Sequence, residues 1–212
     1  MKIRSVEFAG TVVNPAADLP DDLPQVAFSG RSNVGKSSLI NTILGRTRKH
    51  VARVSATPGK TQALNFFRVN DTFFLVDLPG FGFAKVPTSV KDGWKELVEG
   101  YLGRPDGALA VVHLMDVRRD PRDSDLQMLE YLAGMGKPAL VVLTKVDKLN
   151  RSQRGRRIGG IIEELGLAED QVVPFSSKTG EGREVLLEAL AALLGVEEDD
   201  GEPAREPGAV PG

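Results

Sequence analysis

An apolar run, Gln25–Ser29, leads straight into Gly30, Arg31, Ser32, Asn33, Val34, Gly35, Lys36 and Ser37, and a helical pattern over Lys36–Leu44 follows at once. A glycine, four residues and then Gly-Lys-Ser, set between a strand and a helix, is a phosphate-binding loop. Glycines let the backbone close around phosphate oxygens, successive N–H groups and the helix start supply partial positive charge, and Lys36 reaches the outer phosphates. Ser37 is then placed to ligate magnesium, which takes oxygen donors and keeps several waters.

The rest of the chain repeats the same alternation. Ala108–Met115 precedes a helical pattern over Arg122–Met135, Ala139–Leu143 precedes Arg151–Leu165, and Val172–Phe175 precedes Glu181–Leu194. Short, nearly continuous apolar strands alternating with helices predict an α/β fold, a mostly parallel sheet of about six or seven strands with helices on both faces. Function in such sheets gathers at the carboxyl ends of the strands. One antiparallel pair interrupts the pattern: Leu64–Val69 and Thr72–Val76 flank Asn70-Asp71, a two-residue polar break suited to a hairpin. Lys2–Phe8 reads as a further strand whose partner the sequence does not reveal. Two long irregular stretches, Gly45–Gln62 and Leu78–Pro87, have the length of functional loops.

With 212 residues, 41% hydrophobic and 26% charged, the chain suits one domain with a full core. The organisation expected is an N-terminal strand and connector over 1–24, a nucleotide-binding domain over 25–195 and a tail over 196–212. No run of about 18 uncharged apolar residues occurs, and Met1–Gly10 lacks a signal-peptide pattern, so a cytoplasmic location without membrane contact is expected. The absence of cysteine removes disulfides, thiolate metal sites and thiol catalysis. The tail carries Glu197, Glu198, Asp199, Asp200, Glu202 and Glu206 against Arg205 alone, so the net charge of −2 hides a body in which 26 bases face 23 acids. A tail of that composition buries too little surface to order itself, and disorder is expected of it.

Three more motifs sit at predicted strand ends or between strands. Asp77, Leu78, Pro79 and Gly80 follow the strand Thr72–Val76; the carboxylate can hold magnesium directly or through water, and Gly80 offers an unobstructed N–H to a terminal phosphate. In the loop before them lie Thr57, Pro58, Gly59, Lys60 and Thr61, where a threonine can complete the metal shell only while the terminal phosphate is present. Thr57 and Thr61 compete for that role, and Thr61, just before the next strand, is preferred. Thr144, Lys145, Val146 and Asp147 end the strand Ala139–Leu143, and Ser176, Ser177 and Lys178 end Val172–Phe175. A carboxylate accepts both N–H donors of guanine's Watson–Crick edge, whereas adenine presents an acceptor at one of them, so Asp147 selects guanine. The Lys145 stem can lie along the ring, and the backbone after Val172–Phe175 can donate to the guanine carbonyl. Taken alone, Asp147 is equally well a helix-capping aspartate.

These stretches, GRSNVGKSS at Gly30–Ser38, TPGKTQ at Thr57–Gln62, then LNFF, DLPGFGFA and TKVD, resemble the YihA/EngB/YsxC family of bacterial ribosome-biogenesis GTPases, within the TrmE-Era-EngA-EngB-septin-like class, over about Val26 to Leu194. The resemblance implies a P-loop GTPase fold, GTP and GDP as ligands, magnesium dependence, and a role in assembling the large ribosomal subunit and so in normal growth and cell division. It further implies nucleotide contacts from Gly30–Ser37, from Gly59, Lys60, Thr61, Gln62 and Ala63, from Asp77–Gly80, Thr144–Asp147 and Ser176–Lys178, with Ser37 and Thr61 on magnesium. Thr144 departs from the asparagine general among GTPases.

Many GTPases follow Asp-x-x-Gly with a glutamine that orients the attacking water; here the residue is Phe81. Turnover is therefore expected to be slow, resting on phosphate positioning, magnesium, a partner or another ion. Related GTPases with asparagine at the position of Asn33 use it to ligate potassium beside the phosphates, and Arg31 is the competing source of positive charge. The alternative function is a nucleotide-gated RNA- or protein-binding module with negligible catalysis. Arg46, Arg48, Lys49 and Arg53 in the first long loop, and Lys148, Arg151, Arg154, Arg156 and Arg157 after the base motif, are candidates for RNA phosphates, equally well read as solvated faces. No aromatic-interleaved RNA motif appears, and DNA is not expected as a partner. His113 reads as a core histidine, Trp94 as packing, Asp116 as a cap, and Asp120, Asp123 and Asp125 as helix-start carboxylates.

Overall fold

The computed structural model describes residues 1–45, 63–81 and 88–196. Among these residues seven strands form one sheet: β1 (Val6–Val12), β2 (Gln25–Gly30), β3 (Leu64–Val69), β4 (Phe73–Asp77), β5 (Ala110–Asp116), β6 (Ala139–Thr144) and β7 (Val172–Pro174), in the order β1-β3-β4-β2-β5-β6-β7. Among the described residues five α-helices cover it: α1 (Lys36–Ile43), α2 (Thr88–Leu102), α3 (Asp123–Gly134), α4 (Arg151–Leu165) and α5 (Arg183–Leu194). The ladders β4-β2-β5-β6-β7 are parallel, and β3 alone is reversed, pairing antiparallel with β4 and with β1. The fold is the mostly parallel α/β sheet that the alternation of apolar runs predicts.

Side chains that alternate along each strand separate into two cores. Val26 and Phe28 of β2 face α1 and α5, where Leu39, Ile40, Ile43, Leu186, Leu190 and Leu194 are buried. Ala27, between them, faces the other way, joining Phe74, Val76 and Val111 under Leu97, Val98 and Tyr101 of α2 and Met128 and Leu132 of α3. Because both faces are covered, β2, β4 and β5 are buried along their whole length, which is why they read as continuous apolar runs. A third cluster packs Ile161 of α4 on Met115, Val141 and Leu143.

The hairpin turns through Asn70 and Asp71, with φ of 53° and 55°. Left-handed conformation at both central positions is the turn that matches the twist of paired strands, and Asn and Asp tolerate it best after glycine. Asn70 also fixes the N-terminal strand. Its Oδ1 accepts from the N–H groups of Arg4 (2.7 Å) and Ser5 (3.1 Å), and its Nδ2 donates to Lys2 O (2.7 Å). The Asn70 side chain thus takes up Lys2 O and the N–H groups of Arg4 and Ser5, and the β1 ladder runs over Val6–Val12 rather than Lys2–Phe8, with a bulge between Phe8 and Gly10.

Register brings the motifs to one edge. Phe28 pairs with Asp77, Gly30 with Leu114, Asp116 with Thr144, and Leu143 with Pro174, so the ends of β2, β4, β5, β6 and β7 lie side by side.

Candidate functional site

The loop from Gly30 to Ser37 is wedged against its neighbours. A β-carbon on Gly30 would stand 3.0 Å from Leu114 O and 3.0 Å from Val34 Cγ1, so the close approach demands glycine. Asn33 (φ 64°) and Gly35 (φ 110°) then reverse the chain into α1, where Leu39 N already donates to Gly35 O at 2.8 Å. Lys36 folds back from the helix start and its ammonium contacts the carboxylate of Asp77, each side chain only 11% exposed. Burial pushes the Lys36 ammonium down to about 7. The adjoining carboxylate is the counter-charge that opposes this shift, and phosphate oxygens can supply the same compensation.

Beyond Asp77, Leu78 is fully buried and its N–H donates to Phe28 O at 3.0 Å, while Pro79 O accepts from the indole N–H of Trp94 at 2.7 Å. Gly80 lies against the phosphate loop, where a β-carbon would be 3.1 Å from Ser32 Oγ. Phe81 pairs its backbone with that loop, donating to Gly30 O (3.4 Å) and accepting from Ser32 N (3.1 Å). Its ring, 8% exposed, is held between Trp94, at 5.5 Å between centroids, and His113, stacked at 5.8 Å and 19°. His113 is itself fully buried, with Nδ1 2.8 Å from Ser29 Oγ and Nε2 facing Asp125 Oδ1 at 3.4 Å. Trp94 and His113, legible only as packing residues, therefore set where the Asp-x-x-Gly segment lies.

At the far side of the edge, Asp147 directs its two oxygens differently. Oδ1 accepts from Ser176 Oγ at 2.8 Å, whereas Oδ2 is buried without a hydrogen-bond partner, its nearest cation being Lys148 at 3.7 Å. The bond from Ser176, assisted by Lys148 and Lys178, holds the Asp147 carboxyl below the usual carboxylate range although burial acts in the opposite sense. Ser176 Oγ in turn accepts from the N–H groups of Lys178 and Thr179, each at 3.2 Å, which shapes the loop through Ser177. Val146 is buried and donates to Phe175 O at 3.3 Å, tying the two base-side loops together.

Thr144 finds a partner where asparagine is usual. Its hydroxyl lies 2.7 Å from Val34 O and 3.1 Å from Met115 O, so its single proton bridges β6 to the phosphate loop. Lys145, in left-handed conformation (φ 64°), makes a second bridge, donating to Asn33 O at 2.7 Å and to Asp116 Oδ2 at 3.0 Å. Thr144→Val keeps the shape and deletes the first bridge. It is expected to speed release of bound GDP by about 5- to 30-fold, the equivalent of about 1–2 kcal/mol, with little change in melting temperature. Stopped-flow release of a fluorescent GDP analogue checks this, and an unchanged off-rate would count against the bridge.

Asp116 does more than end its strand. Its carboxylate accepts from Arg118 N (3.1 Å), Nε (2.9 Å) and Nη2 (2.7 Å) as well as from Lys145. Burial alone would raise its carboxyl, but the bonds from Arg118 and Lys145 hold it far below the carboxylate range. Asp125 caps α3, accepting from Arg122 N at 3.1 Å, and Asp120 pairs with Arg157 at 2.7 Å. In the basic cluster, Arg154 pairs with Glu181 and Arg157 also donates to Val117 O at 2.8 Å, while Arg151 and Arg156 are exposed. Ala63 directly precedes β3. Thr57, Gly59, Lys60, Thr61 and Gln62, the basic residues Arg46, Arg48, Lys49 and Arg53, and the tail from Glu197 all lie outside the described residues.

Residues 25–145 match the family of 50S ribosome-binding GTPases. The chain is 49% identical over 200 residues to the probable GTP-binding protein EngB of Syntrophotalea carbinolica, covering 94% of this chain and 96% of that one. The chain belongs to the EngB family of GTP-binding proteins. Its EngB relative from Geobacter metallireducens is 44% identical over 206 residues, covering 97% of this chain and all of that one. A crystal structure of a probable GTP-binding protein EngB superposes with a TM-score of 0.66 at 25% identity, covering 82% of this chain and 100% of the other. The fold also recurs in Era bound to MgGDPNP and nucleotides of 16S ribosomal RNA, at a TM-score of 0.60 and 23% identity over 87% of this chain and 59% of that one. Among the described residues no helix is long and apolar enough to cross a membrane.

Proposed function

We propose that this EngB-family chain is a GTP-operated switch that hydrolyses GTP slowly and acts in assembly of the large ribosomal subunit, in the cytoplasm, and so supports growth and cell division. The observation that carries the nucleotide half of this reading is the open Oδ2 of Asp147. A buried carboxylate oxygen without a donor is costly unless a ligand supplies one, and guanine offers two N–H groups at the spacing of a carboxylate. Gly30–Ser37 take the phosphates, Lys36 exchanging Asp77 for a phosphate oxygen. Lys145 flanks the ring, and the backbone of Ser176–Lys178 addresses the guanine carbonyl.

The donors near the phosphate loop suit magnesium, since Ser37 and Asp77 offer only hard oxygen atoms. Ser37 and Thr61 would hold the ion directly and Asp77 through water; its chemistry is to neutralise charge on the phosphates. The N–H of Gly80 can then donate to a terminal phosphate. Asn33 is the proposed potassium ligand, and equal GTPase rates in sodium and potassium buffers would remove that role.

Slow turnover follows from Phe81, whose ring is turned into the core and has no group to orient water. The same observation supports the second reading, a nucleotide-gated RNA- or protein-binding module with negligible catalysis. Single-turnover hydrolysis with and without large ribosomal subunits separates them: stimulation by subunits is expected, and no turnover in either case favours the second. The ribosomal half draws support from the 50S ribosome-binding GTPase family that residues 25–145 match. Depletion of the protein is expected to accumulate incomplete large subunits, and a normal ribosome profile would sink that role.

A further inference from the structure

Asp147 can read guanine only while its Oδ2 stays open, yet two lysines stand beside it. Lys148 is 3.7 Å away. Lys145 is two residues off in sequence, on a flexible four-carbon stem, and its ammonium is the more dangerous neighbour because it must lie close to the base to flank it. An ammonium resting on Oδ2 would occupy the acceptor meant for the purine.

The structure shows what holds that ammonium away. Lys145 Nζ donates to Asn33 O at 2.7 Å and to Asp116 Oδ2 at 3.0 Å. Asp116 is 8% exposed at the end of β5, in register with Thr144 of β6, so the anchor is part of the rigid sheet. Arg118 clamps it through Nε and Nη2, fixing the plane of the carboxylate. A neutral acceptor would hold an ammonium much more weakly than a carboxylate does.

We propose that Asp116 is a positioning residue for base selection: by retaining the Lys145 ammonium at the phosphate loop, it keeps Asp147 Oδ2 free to accept the purine 2-amino group. In this role Asp116 acts through Lys145 rather than on the nucleotide itself. The inference rests on the guanine reading of the site, and its test separates the two.

Affinities of the full chain for GDP and IDP, measured with magnesium by calorimetry, provide the readout. Hypoxanthine lacks the 2-amino group, so the GDP:IDP ratio reports whether Oδ2 is available. The wild type is expected to favour GDP; no preference would overturn the guanine reading itself. Asp116→Asn is expected to lower the GDP:IDP ratio about tenfold, since one charge-assisted bond to the base is lost. In a Lys145→Met background, where no ammonium remains to move, the same substitution is expected to leave the ratio unchanged. Equal weakening of both ligands by Asp116→Asn would mean that Asp116 only supports the fold, and a fall in ratio that persists with Lys145→Met would mean that it does not act through Lys145. Either result overturns the proposal, as does an unchanged ratio. Should Asp116→Asn fail to fold, Lys145→Met alone decides: both affinities are expected to fall with the ratio retained, and a collapsed ratio overturns the proposal.

Discussion

Asp147→Asn is expected to weaken GDP binding by about a thousandfold or more and to turn the preference of the site toward xanthine nucleotides. The reason lies in Ser176. Its hydroxyl donates to Oδ1 at 2.8 Å, and an asparagine placed there will keep its carbonyl oxygen on that donor. The amide nitrogen must then stand where Oδ2 now stands, pointing its protons at the base. Guanine presents its own 2-amino donors to that position, so donor meets donor and both lose water without compensation. Xanthine carries a carbonyl there and accepts. Without Ser176 the amide could turn over, so Ser176→Ala added to Asp147→Asn is expected to blunt the inversion. Competition of GDP and XDP for the two variants measures this, and an Asp147→Asn protein that still prefers GDP would show that Asp147 does not read the base.

That prediction depends on a detail which no motif contains. The spacing Thr144–Asp147 identifies a carboxylate at a strand end, but which of its oxygens is taken is decided by Ser176, across β6 and β7. The same limit applies along the whole edge. Local pattern was sufficient for the strand, glycine turn and helix around Gly30–Ser37, because the three are contiguous in sequence. It was also sufficient for the alternation that dictates a covered parallel sheet, and for the Asn70-Asp71 turn. Pairings between distant segments left no mark. The partner of β1 could not be read because its place is set by Asn70, more than sixty positions away, through bonds to Arg4 and Ser5. Asp116 read as a cap because its partner Lys145 lies just past the end of the next strand. Thr144 read as a departure from the usual asparagine, whereas its hydroxyl makes a bridge to Val34 that only the folded register brings within reach.

These long-range bonds share a direction. Thr144, Lys145 and, through Lys145, Asp116 all converge on Asn33 and Val34 at the outer rim of the phosphate loop. Base side and phosphate side are therefore not independent subsites. On the proposed reading of the site, a base that settles against Lys145 and Asp147 would stiffen the Gly30–Ser37 loop, and the loss of either bridge is expected to appear first as faster release of nucleotide rather than as unfolding.

Phe81→Gln is expected to leave GTP hydrolysis no faster while lowering the melting temperature by about 5–15 °C, a loss of about 2–4 kcal/mol in a domain of this size. Sequence comparison alone invites the opposite expectation, since glutamine at this place orients water in many GTPases. The geometry decides against it. The ring of Phe81 fills a slot between Trp94 and His113, and its backbone is bridged to Gly30 and Ser32, so a replacement side chain starts from the same inward direction. An amide in that slot would lose water against the face of the His113 ring, because the histidine nitrogens point in the ring plane, toward Ser29 and Asp125. Trp94, the single tryptophan of the chain, reports the outcome directly, because it touches both the ring at position 81 and Pro79 O. Its emission is expected to change with Phe81→Gln and, in the wild type, between GDP and a non-hydrolysable GTP analogue. Faster hydrolysis at an unchanged melting temperature would mean that side chain 81 leaves the core and reaches the phosphates. The slot would then be one state of a moving segment, and slow turnover would have to be explained by something other than the missing glutamine.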